Sequence, residues 1–275
     1  MSKRALKQFS ICLLIFTLPI AGHSADNPRE GINYYLRTYG KVEPDLLPDV
    51  YEVFNRVLNV ADKNNLYRPQ LIVINDNRQI SAFVLSDGNI FVSRRALETI
   101  RAGVDEEIFK IRLAFVLGHE LAHLANNDFW DEQVSQALLE FSSAEDVTSI
   151  LNTSLGRLKN ELKADDQGFL FAALAGYQVE KLLINNTAQN NFFKFWSEKV
   201  GVEEDVTHPK PEQRAAMLRS RLAEKQQVIA LYQFGVRLNH FGRYSEAIEL
   251  LRVFQKHYPG REVFNSLGYA HLKQA

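Results

Sequence analysis

The chain has 275 residues, enough for one large domain or two modest ones with a real core. Hydrophobic residues make up 46% and charged residues 24%, an ordinary globular balance that excludes long disorder. With 32 Lys and Arg against 33 Asp and Glu, and no basic cluster, the composition argues against a nucleic-acid binder.

The N-terminus stands apart. Lys3, Arg4 and Lys7 precede an apolar run from Ile11 to Ile20, and Ala21-Gly22-His23-Ser24-Ala25 follows. This is the layout of a secretory signal peptide over residues 1–25, cut near Ser24 or Ala25; the alternative is an uncleaved membrane anchor, for which the apolar run is too short as it stands. The expected location is the periplasm. Cys12, the only cysteine, lies inside that segment, so the mature chain is expected to hold no disulfide. Three of the 32 basic residues and no acidic ones lie in 1–25, which leaves 29 against 33, a charge of −4. No later stretch is long and apolar enough to cross a membrane.

Residues Leu46 to Asn64 place Val50, Phe54, Val57, Leu58 and Ala61 at helical spacing, with Asp45 as N-cap. Gln70–Ile74 reads as a strand, ended by Asn75-Asp76-Asn77. Ser81–Leu85 and Asn89–Ser93 read as two strands joined at Asp87-Gly88. From Gly103 onward the chain turns helical. Ile108–Ala125 is apolar nearly all round, the mark of a helix at the centre of a domain. Further helices are expected over Glu132–Phe141, Thr153–Ala175 and Val179–Lys199, and a loop over Gly201–Pro211. From Val228, Gly235, Gly242, Tyr244, Ala247, Leu250 and Pro259 fall at tetratricopeptide offsets, and Leu267-Gly268 repeats Phe234-Gly235 one repeat length later.

The chemistry centres on His119-Glu120-Leu121-Ala122-His123. Residues four apart share a helix face, so both imidazoles can reach one ion. Neutral imidazole suits zinc, and two such ligands leave room for a third and for a water, which Glu120 is placed to deprotonate. Burying two His and a Glu in so apolar a helix without a partner would be costly, and a metal removes that cost. The candidate third ligand is Glu161. With Asp165 and Gly168 it forms one helix face, from which Asp165 can orient a ligand histidine while Gly168 lets two helices approach closely. A solvated charged face, beside Lys159 and Lys163, is the alternative for that segment.

Over roughly Gly31 to Leu222 these motifs resemble metallopeptidase family 48, the gluzincins that include CAAX prenyl endopeptidases and the HtpX and Oma types. The resemblance rests on His119–His123, on Glu161-x-x-Ala164-Asp165-x-x-Gly168 and on His208-Pro209-x-x-x-x-Arg214. Ala82-Phe83 before Gly88-Asn89-Ile90-Phe91-Val92, and Ala175-Gly176-Tyr177, add to it. It implies that Glu161 is the third zinc ligand and Asp165 its neighbour in the surrounding shell. Ser81 stands where the family has Asn, and Arg95-Ala96 replaces a glycine-containing step. The repeat tail is closest to the family's periplasmic branch, which implies misfolded or stalled envelope proteins as substrates.

The expected fold is α+β and mainly helical, a gluzincin-type peptidase domain with a small sheet over 26–222, then a short tetratricopeptide-type hairpin over 228–275. His208, in a proline-bounded loop, is a candidate resting ligand or oxyanion stabiliser. Arg214 is a candidate oxyanion donor or grip on substrate backbone. The leading function is zinc-dependent endopeptidase, with protein substrates, one zinc and a possible docking partner on the repeat helices. The alternative is a chaperone or adaptor stapled by structural zinc. Glu120 separates the two, because a purely structural site has no use for it. Asn89–Ser93 is the expected strand for pairing with an extended substrate.

Overall fold

The computed structural model describes residues 28–61, 69–85, 88–128, 147–183, 192–200 and 211–275. The expected signal peptide, the helix over Glu132–Phe141 and His208 lie outside the described residues, as does the loop over Gly201–Pro211 apart from Pro211.

Helix α1 (Pro28–Tyr39) leads to a 3-10 turn (Pro44–Leu46) and helix α2 (Pro48–Ala61). The expected cap is corrected here: Asp45 lies inside the 3-10 turn, and α2 starts at Pro48. Proline fits the first helical position, where its missing N–H costs nothing. The helix buries Val50, Val53, Phe54, Val57 and Val60 along one stripe.

Strands β1 (Gln70–Ile74), β2 (Ala82–Val84) and β3 (Asn89–Ser93) form a sheet in the order β1-β3-β2. β3 runs parallel to β1 and antiparallel to β2, with Phe83 opposite Phe91. It is therefore the central strand with both edges occupied, which corrects the expectation that it pairs with substrate. Alternation sorts its residues: Ile90 and Val92 join the main core, and Phe91 points to the other face. There Tyr35 of α1 packs with ring centroids 4.9 Å from Phe83 and 5.3 Å from Phe91. Ser93 locks the sheet to helix α3 (Arg94–Arg101). Its hydroxyl accepts from the N–H of Ala96 at 3.0 Å and of Ser81 at 3.1 Å, and donates to the Gln79 carbonyl at 2.6 Å.

Helix α4 (Glu106–Asn126) runs through the middle of the molecule. Asp105 caps it by accepting from the Ile108 N–H at 2.9 Å. Every residue from Ile111 to Leu124 is buried, between α2, the sheet and helix α5 (Val147–Leu174). Gly176, at φ 93°, turns the chain after α5. The expected helix over Val179–Lys199 is corrected to a 3-10 turn (Val179–Leu182) and a separate helix α6 (Phe192–Val200), whose Phe192, Phe193, Phe195 and Trp196 are buried.

Helix α7 (Pro211–His240) continues without interruption through Leu222 and Val228, where the sequence suggested a domain boundary. Helices α8 (Tyr244–His257) and α9 (Arg261–Gln274) complete the chain. A Cβ on Gly235 would lie 2.7 Å from Leu251 Cγ, so the glycine allows α7 and α8 to close on each other. Leu251, Phe254, Tyr258 and Val263 belong to the same core as Val60 and Phe171. The Tyr258 hydroxyl donates to the Val60 carbonyl, and Arg261 reaches Asn59 Oδ1 at 3.1 Å. Among the described residues no helix is long and apolar enough to cross a membrane.

Candidate metal centre

His119 and His123 sit one turn apart on the buried α4, and Glu161 faces them from α5. The two helices meet at a pair of glycines. A Cβ on Gly168 would lie 2.6 Å from the His119 amide nitrogen, and one on Gly118 2.8 Å from the Gly168 carbonyl oxygen. No other residue type allows that approach, and the approach brings the Glu161 carboxylate to the histidines. The sequence pointed to Gly168 for this contact; Gly118 was missed, although a glycine beside the first histidine of a buried helix is its signal.

One ligand atom each from His119, His123 and Glu161 lies within 4.8 Å of the others, and all three residues are buried. The two Nε2 atoms are 3.1 Å apart, and the Glu161 carboxylate oxygens stand 3.5 Å and 3.7 Å from them. On the far side of each ring, Nδ1 meets a carboxylate: His119 with Asp165 Oδ1 at 2.9 Å and His123 with Asp128 Oδ2 at 2.7 Å. Asp128 is not among the residues expected from sequence. A carboxylate only accepts, so Nδ1 carries the hydrogen in both neutral rings and each Nε2 presents a lone pair. Two lone pairs and a carboxylate then converge in a space closed to bulk water, which calls for a cation among them.

The electrostatics agree. Burial pulls the His119 pKa down, but the carboxylates of Asp165 and Glu161 outweigh it and raise it to about 10, so without an ion the ring takes a second proton at the Nε2 that would otherwise face a metal. Burial pushes the Glu161 carboxyl up, and His119 and His123 bring it below its ordinary value. The two carboxylates therefore favour positive charge at the histidines, which a metal ion on the two Nε2 atoms would supply in place of a proton. Two imidazoles and a carboxylate, with no thiolate, make a donor set suited to zinc.

Glu120 lies beside the centre, 0% exposed, and neither of its carboxylate oxygens has a hydrogen-bond partner among the described residues. Burial raises its pKa well above the ordinary glutamate value, and Glu161 adds to that while His119 and Arg214 oppose it. A buried carboxyl without a partner is costly unless a ligand or water meets it.

Asp165 is fully buried, between His119 and Arg214. Arg214, near the start of α7, donates through Nε at 2.6 Å and through Nη2 to the two carboxylate oxygens. Burial pushes the Asp165 carboxyl up, but Arg214 and then His119 hold it down at about 2. The Arg214 guanidinium stands 5.1 Å over the Phe193 ring and is buried. The structure thus gives Arg214 a partner in Asp165 rather than an open position toward substrate.

A sequence model of peptidase family M48 matches residues 48–157, from the start of α2 through α4 into α5. The matched span contains His119, Glu120 and His123 and stops short of Glu161 and Asp165, which geometry alone brings to the centre. No curated protein matches the chain.

Proposed function

We propose, from the premise that this chain is a zinc metallopeptidase with one zinc on its His-His-Glu group, that it is an endopeptidase of the bacterial cell envelope. One observation carries the catalytic part: two imidazoles and the Glu161 carboxylate converge beside a buried Glu120 that has no hydrogen-bond partner among the described residues. His119, His123 and Glu161 would hold the metal. Zinc bound there supplies a Lewis acid that polarises a peptide carbonyl and makes water nucleophilic near neutral pH.

The protein's own groups do the rest. Glu120, next to His119 and one turn before His123, takes a proton from the attacking water on its carboxylate and hands it to the departing amine nitrogen. Burial raises the Glu120 pKa, which makes its carboxylate a better acceptor for the water proton. Asp165 fixes the tautomer of His119 and Arg214 fixes Asp165, so the first ligand is positioned by a buried chain of three groups. An extended substrate pairs with β2, whose outer edge carries no strand among the described residues and which lies against α4. His208 remains a candidate for the open position over the metal.

The envelope setting rests on the signal-peptide layout of residues 1–25 and on the tetratricopeptide offsets after Val228. Gly235 packed against Leu251 supports the repeat reading. In that layout the chain is similar to the periplasmic beta-barrel assembly-enhancing protease, with misfolded or stalled envelope proteins as substrates. Docking of a partner on the hairpin is a second role of the same molecule, supported by the exposed Phe234, Phe241, Phe264 and Leu272.

The test is digestion of casein by the mature chain, with and without a chelator, beside Glu120→Gln. Cleavage that stops with chelator, returns with zinc and is lost in Glu120→Gln supports the mechanism. Cleavage by Glu120→Gln at the parent rate refutes it.

A further inference from the structure

We propose that Asp128 is the positioning residue for the second ligand, and that a left-handed break at Asn127 exists to deliver it to His123. The inference rests on reading His119, His123 and Glu161 as the zinc site. It extends that reading to a residue that no motif identifies.

The geometry carries the argument. Asp128 follows His123 by five positions. On an uninterrupted helix that offset turns the side chain about 140° away from His123, out of reach of its ring. Yet Asp128 Oδ2 lies 2.7 Å from His123 Nδ1. The intervening residue explains the difference. Asn127 has φ 56° and ψ 37°, and it is the one non-glycine residue with positive φ among the described residues. Its backbone N–H donates to the carbonyls of His123 and Leu124, so the break is anchored on the turn that carries the ligand. Asparagine tolerates this conformation better than most side chains, though not without cost. A strained turn next to a buried ligand, aiming a carboxylate at that ligand's far nitrogen, is a device for orienting it.

The result is a matched pair. His119 is oriented by Asp165 from α5, through long-range packing. His123 is oriented by Asp128 from just beyond the end of its own helix, through a local turn. With Nδ1–H bonded to Asp128, the His123 ring cannot flip or change tautomer without losing that bond, so its Nε2 stays directed at the metal. The hydrogen-bonded carboxylate also makes the ring a better donor.

The experiment measures zinc affinity of the purified chain by competition with a chromophoric chelator, and thermal unfolding of the zinc-free chain. Asp128→Ala is expected to weaken zinc binding by about 10- to 100-fold. Asp128→Asn, which keeps an accepting oxygen of the same shape, should lose less. Each zinc-free chain should still unfold in a single cooperative melt, which separates lost positioning from lost folding; the Asp128 side chain is 10% exposed. Asn127→Val, a β-branched residue in a left-handed position, should weaken zinc binding too. The double variant Asn127→Val/Asp128→Ala should bind no more weakly than Asp128→Ala, since Asn127 acts through Asp128. Parent-like affinity in Asp128→Ala overturns the proposal, as does a simple sum of the two losses in the double variant. A parent chain that binds no zinc refutes the metal site itself, and is a different result from a parent that binds and a variant that binds equally well.

Discussion

Gly168→Ala isolates the contact on which the metal centre is built. The added Cβ would sit 2.6 Å from the His119 nitrogen, 2.9 Å from its Cα and 3.0 Å from the Gly118 carbonyl carbon, all of them backbone atoms. Ordinary contact begins at 3.4 Å, so α4 and α5 must part by about 0.8 Å at this point. Glu161, two turns before Gly168 on the same helix, moves with it. Overpacking of this kind costs about 1–3 kcal/mol, against which alanine recovers about 1 kcal/mol of helix propensity. The net expectation is a loss of up to about 2 kcal/mol in the zinc-free chain. The metal is more sensitive, because ligand distances must hold to about 0.2 Å. A shift of about 0.8 Å should lower zinc affinity at least tenfold. Gly156→Ala is the control: it lies on the same helix, and among the described residues nothing stands within 4 Å of its added Cβ. It should gain up to about 1 kcal/mol and bind zinc as the parent does. Urea unfolding of the zinc-free chains and chelator competition read both quantities. If Gly168→Ala matches Gly156→Ala in either, the close approach does not position the ligands.

Arg214→Ala leaves Asp165 buried without its cation, and should destabilise the chain by about 3–5 kcal/mol in chemical unfolding. Arg214→Lys loses the two-point grip and should fall between. Asp165 also sets an acid limb. Its folded-state carboxyl is held at about 2 against an ordinary 3.8, so its contribution, about 2 kcal/mol, is present above about pH 4 and disappears as pH falls through about 2. Asp165→Asn should be less stable at neutral pH and show a flatter pH dependence over that window, measured on the zinc-free chain. Tyr258→Phe removes the bond to the Val60 carbonyl and should cost about 1–2 kcal/mol by thermal unfolding, with cleavage unchanged. His208→Ala should raise casein cleavage if His208 occupies the open position at rest. It should lower kcat by about ten- to a thousand-fold if it stabilises the oxyanion.

What the sequence made legible was local. The strands at Gln70–Ile74 and Asn89–Ser93 stand where β-branched runs placed them, and α4 grew from an apolar stretch that only a buried helix satisfies. Strand order was not legible. Asp87-Gly88 links β2 to β3, but the parallel pairing of β3 with β1 depends on α2 and α4 packing on one face. The helix expected over Val179–Lys199 carried its own warning in Asn185-Asn186-Thr187 and Asn190-Asn191, poor helix formers that periodicity alone ignores. His119, Glu120, His123, Glu161 and Asp165 could be named from spacing and resemblance. Asp128 could not, because a residue five positions along a helix faces away unless the helix ends, and only Asn127 marks that end.

The length of α7 has a consequence for engineering. Thirty residues rising 1.5 Å each make a rod of about 45 Å. Its first half is pinned by Arg214 on Asp165, Arg219 on the Leu183 carbonyl, and Arg221 and Lys225 on Asp166. Its second half carries α8 and α9, which grip α2 through Tyr258 and Arg261. The two halves are in phase, and one inserted residue between Lys225 and Gly235 would rotate the distal half by about 100°. The hairpin would then swing off α2 while the pinned half kept its grip on the metal helices. Grafting a longer repeat array onto this chain must therefore begin after His240, where the rod has already set the angle.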